Sequence, residues 1–73
     1  LKLGFEVAAA GGTLSAVMNA ANEIAVERFL NREIKYLDIY ATVRRVVDAH
    51  KNVEKPTLEQ VLEADLWARR SAR

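Results

Sequence analysis

Apolar residues recur at three- and four-residue intervals along most of this chain, a spacing that gathers them on one side of an α-helix. The clearest instance starts at Leu14. Leu14, Met18, Ala21, Ala25 and Phe29 share a side, with Val17 and Ile24 beside them, and neither Gly nor Pro interrupts the run. Thr13 or Ser15 is placed to cap it, so a helix is predicted over 14–31. Leu1, Phe5 and Ala8 keep the same spacing and predict a first helix over 1–10, closed by Gly11 and Gly12. From Arg32 to Leu37 apolar and charged positions interleave, which reads as an irregular or briefly extended connector. Asp38 is an N-cap residue type, and Ile39, Val43, Val46 and Val47 form an inner face for a helix over 39–50. Its β-branched residues lower helix propensity, so packing must hold it. A polar linker from Asn52 to Pro56 leads to Thr57 and Gln60, spaced as a capping box. The helix it opens, over 58–71, carries an apolar stripe of Leu58, Val61, Leu62 and Leu66 and a favourable i,i+4 pair, Asp65 and Arg69. The expected fold is all-α, a compact four-helix bundle-like domain with helices near 1–10, 14–31, 39–50 and 58–71.

Within that pattern one stretch stands apart: Asn19, Asn22 and Glu23 lie on one face of an otherwise apolar helix, flanked by Met18, Ile24, Ala25 and Val26. Amides and carboxylates near a core need hydrogen-bond partners. The three are expected to form a structural polar cluster that docks the helix against a specific neighbour.

Bulk properties narrow the class. A chain of this length should bury apolar surface that stabilises it by about 110 kcal/mol at ~25 cal/mol per Å², against an ordering cost of about the same size. Such a domain is marginal alone, and a partner domain or second chain is expected to support it. Acids and bases are spread evenly and the net charge is +1, so no field draws in nucleic acid; Arg69, Arg70 and Arg73 read as a solvated last turn favoured by the helix dipole. Cysteine is absent, which removes disulfides and thiol chemistry and is compatible with the cytoplasm. No apolar run approaches the ~20 residues needed to span a bilayer, so no membrane association is expected. Leu1 in place of an initiator Met leads us to expect a segment of a longer polypeptide.

Candidate chemistry is sparse. A di-metal carboxylate site in a bundle needs Glu-x-x-His, yet Val26 follows Glu23 by three, Leu30 follows Glu27 by three, and the single histidine, His50, is preceded at that distance by Val47. Glu23 and Glu27 share a face and could form a carboxylate pair. His50 could act as a ligand or proton shuttle, or simply favour a helix C-terminus. Gly11, Gly12, Thr13 and Ser15 open a helix but lack the Gly-Lys-Ser/Thr of a phosphate loop. Trp67 is an anchor for either the core or an interface.

The run Gly11-Gly12-Thr13-x-x-Ala16-Val17-x-Asn19-Ala20-Ala21-Asn22-Glu23-Ile24-Ala25-Val26, followed by Phe29-Leu30, Ile34, Asp38-Ile39 and Val61-Leu62-x-x-Asp65-x-x-Ala68-Arg69, resembles the C-terminal helical domain of 1-deoxy-D-xylulose 5-phosphate reductoisomerase. The resemblance covers essentially the whole chain, and its first half is the more specific. It implies a parent enzyme of non-mevalonate isoprenoid synthesis that uses NADPH and a divalent cation (Mg or Mn) to convert 1-deoxy-D-xylulose 5-phosphate to 2-C-methyl-D-erythritol 4-phosphate. N-terminal and central domains would carry the nucleotide, metal and substrate, and the C-terminal helices would support them. It further implies a homodimeric parent in the bacterial cytoplasm or, less favoured, the plastid stroma. No catalytic, cofactor-binding or metal residue of the family maps onto residues 1–73. The competing expectation is a stand-alone helical interaction module that docks through Trp67 and its helix.

Overall fold

The computed structural model describes residues 12–53 and 55–73. Among them are three helices and no strand: α1 (Leu14–Leu30), α2 (Tyr36–Ala49) and α3 (Leu58–Ala72). The helix expected over 1–10 lies outside the described residues, so three helices stand where the sequence reading counted four. α1 is the central element. α2 runs back along it, bringing His50 to Thr13 at one end and Tyr36 to Phe29 at the other. α3 runs in the same sense as α1, as the contacts Glu23–Arg69 and Arg28–Ala72 show.

Local chemistry sets each boundary. α1 ends one residue before the expected limit because Arg32 takes a left-handed conformation (φ +62°) and two turn hydrogen bonds close the helix: Arg32 N–H to Phe29 O at 3.0 Å and Glu33 N–H to Arg28 O at 2.8 Å. This double closure is the Schellman arrangement, in which glycine is the usual left-handed residue. α2 begins at Tyr36, three residues earlier than the sequence reading placed it. Asp38 is no N-cap; it sits inside the first turn, and its Oδ2 accepts the Lys35 backbone N–H at 3.0 Å. α3 opens on the expected box: Gln60 N–H donates to Thr57 Oγ1 at 3.2 Å, and Thr57 N–H to Gln60 Oε1 at 2.9 Å. Its other end is closed from outside, where Arg45 and Arg28 donate to the Ser71 and Ala72 carbonyls at 2.8 and 2.9 Å. Two guanidinium groups thus satisfy final-turn carbonyls and complement the negative end of the helix dipole.

The core is built from small side chains. Val17, Ala20, Ala21, Ile24 and Ala25 of α1 meet Val43, Val46 and Val47 of α2 and Ala64, Ala68 and Ala72 of α3. The stripe expected to bury α3 therefore needs correction: Leu58, Leu62 and Leu66 are exposed, and the alanines at 64, 68 and 72 face inward instead. Alanines at four-residue intervals let two backbones approach closely, which longer leucines would prevent.

Candidate functional site

Two polar constellations hold the helices together. The first includes Glu23, one of the three residues singled out from the sequence. Glu23 extends from α1 to Arg69 of α3, Oε2 to Nη2 at 2.6 Å, and Arg69 also grips Asp65 one turn back, Nε to Oδ2 at 2.9 Å and Nη2 to Oδ1 at 3.4 Å. Hydrogen bonds to Asp65, and then to Glu23, push the Arg69 pKa further up. Asn19 and Asn22 are exposed on the outer side of α1. Asn22, Glu23, Val26, Glu27, Leu30, Asn31 and Arg69 border an open depression of about 500 Å³ between α1 and α3. With both carboxylates engaged on Arg69, the arrangement is a helix-to-helix clasp.

The second constellation ties the start of α1 to the segment after α2. Thr13 is almost fully buried, and its Oγ1 lies 2.8 Å from His50 Nε2, accepts the Val53 N–H at 3.1 Å, and stands 3.4 Å from Asn52 Oδ1. A hydroxyl carries one proton, so Thr13 donates either to His50 or to Asn52. In return, Thr13 N–H donates to Val53 O at 3.2 Å and Leu14 N–H to Asn52 Oδ1 at 3.1 Å. Thr13 occupies the N-cap position as the sequence suggested, but the capping oxygen comes from Asn52. Gly12 makes the approach possible: its φ is +63°, and a Cβ there would overlap the Val53 carbonyl oxygen and sit 2.7 Å from Asn52 Oδ1. His50 ends α2, and its ring lies 5.3 Å from that of Trp67, tilted by 37°. Burial lowers its pKa from the ordinary histidine value. Trp67 is half-buried on this ring and the core.

Among the described residues, no three His, Asp or Glu side chains stand together as a metal site would require. No described helix is long and apolar enough to cross a membrane. The roles of Asn52 and Gly12 escaped the sequence reading, since both depend on contacts about forty residues apart. A glycine pair before a helix was the only local hint.

Fold and polar contacts together define, among the described residues, a small all-α domain in which two polar constellations join one element to another. Residues 1–71 match the family model of the DXP reductoisomerase C-terminal domain. Similar proteins include the 1-deoxy-D-xylulose 5-phosphate reductoisomerases of Exiguobacterium sibiricum, 54% identical over 94% of this chain and 18% of the relative, and of Thermodesulfovibrio yellowstonii, 51% identical over all of this chain and 19% of the relative. The corresponding protein of Rhodopirellula baltica is 52% identical over all of this chain and 16% of its own length. The chain belongs to the DXP reductoisomerase C-terminal domain family. It spans less than a fifth of the length of these relatives.

Proposed function

We propose that residues 1–73 form the C-terminal domain of a complete reductoisomerase that rearranges and reduces 1-deoxy-D-xylulose 5-phosphate to 2-C-methyl-D-erythritol 4-phosphate with NADPH and a divalent cation, Mg or Mn. The observation that carries this reading is the family match over residues 1–71 together with about 50% identity to reductoisomerases across the chain. In this reading the domain supplies no reacting group. Nucleotide, metal and substrate belong to the N-terminal and central domains, and the helices brace them. Asn19, Asn22 and Glu23 serve as a structural cluster, Glu23 through its clasp on Arg69 and the two amides toward a neighbour. The predicted helix over 1–10 completes a four-helix arrangement, and the working enzyme is a homodimer in the cytoplasm. The complete polypeptide, assayed for NADPH oxidation with 1-deoxy-D-xylulose 5-phosphate and Mg²⁺ or Mn²⁺, is expected to turn over only when substrate and cation are both present. Turnover unaffected by omitting the sugar phosphate would overturn the reading, and so would no turnover at all.

A further inference from the structure

Thr13 Oγ1 is the meeting point of three polar groups, and the roles of two of them are fixed. Val53 N–H donates to it at 3.1 Å and occupies one of its two lone pairs. Asn52 turns its carbonyl oxygen toward it, because the same Oδ1 accepts the Leu14 N–H at 3.1 Å, which an amide nitrogen could not do. The third group, His50 Nε2 at 2.8 Å, accepts or donates according to where the ring carries its proton. Distance decides between the two. At 3.4 Å the Thr13–Asn52 contact is long for an O–H···O bond, usually about 2.5–3.0 Å. The hydroxyl proton therefore lies in the 2.8 Å contact, donated to a bare Nε2, and two oxygens face each other at 3.4 Å with no proton between them. Nδ1 then holds the proton of the neutral imidazole. It has no partner in the chain, and no buried side-chain N or O among the described residues lacks one, so Nδ1 opens to solvent.

We propose that the Thr13 hydroxyl is a proton-operated switch: when His50 takes up a proton at Nε2, the hydrogen bond between them reverses and Thr13 turns its own proton onto Asn52. An imidazolium offers Thr13 a donor and no acceptor, and the lone pair of Oγ1 not used by Val53 receives it. The hydroxyl proton this displaces has one acceptor within reach among the described residues, Asn52 Oδ1. The 3.4 Å contact then shortens to ordinary hydrogen-bond length, drawing the segment after α2 onto the start of α1. Burial opposes the charge, so the change comes below the ordinary histidine range. Trp67, its ring 5.3 Å from that of His50, partly offsets this by a cation–π contact. Little else acts on the ring. The start of α1 contributes Gly12, Thr13 and Leu14, none of them ionisable. On α3, Glu63 and Arg70 stand one turn to either side of Trp67 and are exposed. On α2, Asp48 is exposed and paired with Arg44 at 3.2 Å, and Lys51 and Lys55 of the following segment are exposed; Glu54 lies outside the described residues. His50 forms no ion pair with any of the described charges.

The switch belongs to the folded domain and does not depend on the enzyme reading. The test uses the complete polypeptide, labelled isotopically in its histidine rings and followed by NMR from about pH 8 to 5. The His50 signals are those missing from His50→Gln. At the upper pH their shifts are expected to show Nδ1 protonated and Nε2 bare; the opposite tautomer overturns the proposal. In Asn52→Ala the displaced hydroxyl proton has no acceptor, which disfavours the charged form alone, so the His50 midpoint is expected to fall by about 0.5–1 pH unit. An unchanged or raised midpoint overturns the proposal, because a ring that already donated to Thr13 when neutral would use Asn52 equally in both states. Asn52→Ala also loses the cap on Leu14; should it fail to fold, the tautomer of the unsubstituted polypeptide decides alone.

Discussion

Replacing Gly12 tests the clamp at the start of α1. In Gly12→Ala the new side chain meets two penalties. Holding alanine at φ +63° costs about 1–2 kcal/mol relative to its preferred conformations. Its Cβ also overlaps the Val53 carbonyl oxygen and crowds Asn52 Oδ1, the two acceptors that receive the Thr13 and Leu14 N–H groups. Relief requires residues 52 and 53 to withdraw, which weakens two hydrogen bonds worth about 0.5–1.5 kcal/mol each. The reduced freedom of alanine in the unfolded chain returns about 0.4–1 kcal/mol. The net expectation is a loss of about 2–4 kcal/mol, a large part of the stability of a domain this size. Thermal unfolding followed by circular dichroism reads it as a fall in Tm of about 4–8 °C for each kcal/mol. Gly12→Asn separates the two terms, because asparagine tolerates the left-handed region yet carries the same Cβ. It is expected to recover about 1 kcal/mol and no more. Parental stability in Gly12→Asn, or a cost under about 1 kcal/mol in Gly12→Ala, refutes the steric argument.

Four further outcomes are expected. His50 is harder to protonate folded than unfolded, so its contribution is complete above the ordinary histidine pKa of about 6.5 and is lost as pH falls through and below that value; His50→Gln should flatten the decline of Tm between about pH 7 and 5, and an unchanged slope would assign the decline elsewhere. Arg32→Gly removes a non-glycine residue from a left-handed helix stop and should raise stability by about 0.5–1 kcal/mol in urea unfolding; any loss contradicts the backbone account. Ala68→Leu forces the α1–α3 seam apart and should cost about 1–3 kcal/mol, whereas Ala41→Leu on the exposed side of α2 should be nearly neutral. Glu23→Gln should lower Tm slightly at low ionic strength and have no effect in concentrated salt, because the clasp to Arg69 lies near solvent; an equal loss in both would indicate a packing role for Glu23.

What the amino-acid pattern conveyed depended on how far apart the interacting residues lie. The Thr57–Gln60 box and the Asp65–Arg69 pair span one turn each, and both form as their spacing indicates. The start of α2 was misplaced because an aspartate that accepts from the residue before a helix and one that caps it look alike in sequence; Asp38 does the former. For α3 the hydrophobicity of its leucines concealed the alanines that touch the core, since steric closeness between helices is a tertiary property. The Glu23 link to Arg69 crosses 46 residues and the Asn52 cap crosses 38, distances at which no local spacing signals a partner. Glu23 could be recognised as a polar residue in need of a neighbour, but its neighbour could not be named.

The borrowed cap has a kinetic meaning. Because the oxygen that receives the Leu14 N–H belongs to Asn52, the first turn of α1 stays incomplete in a growing or refolding chain until the whole of α2 has been made and has turned back. Completion of the first turn of α1 and closure of the α1–α2 hairpin are thereby coupled. Amide hydrogens near Leu14 should exchange together with those of the segment around Val53, as a single cooperative unit and not as a fraying helix end.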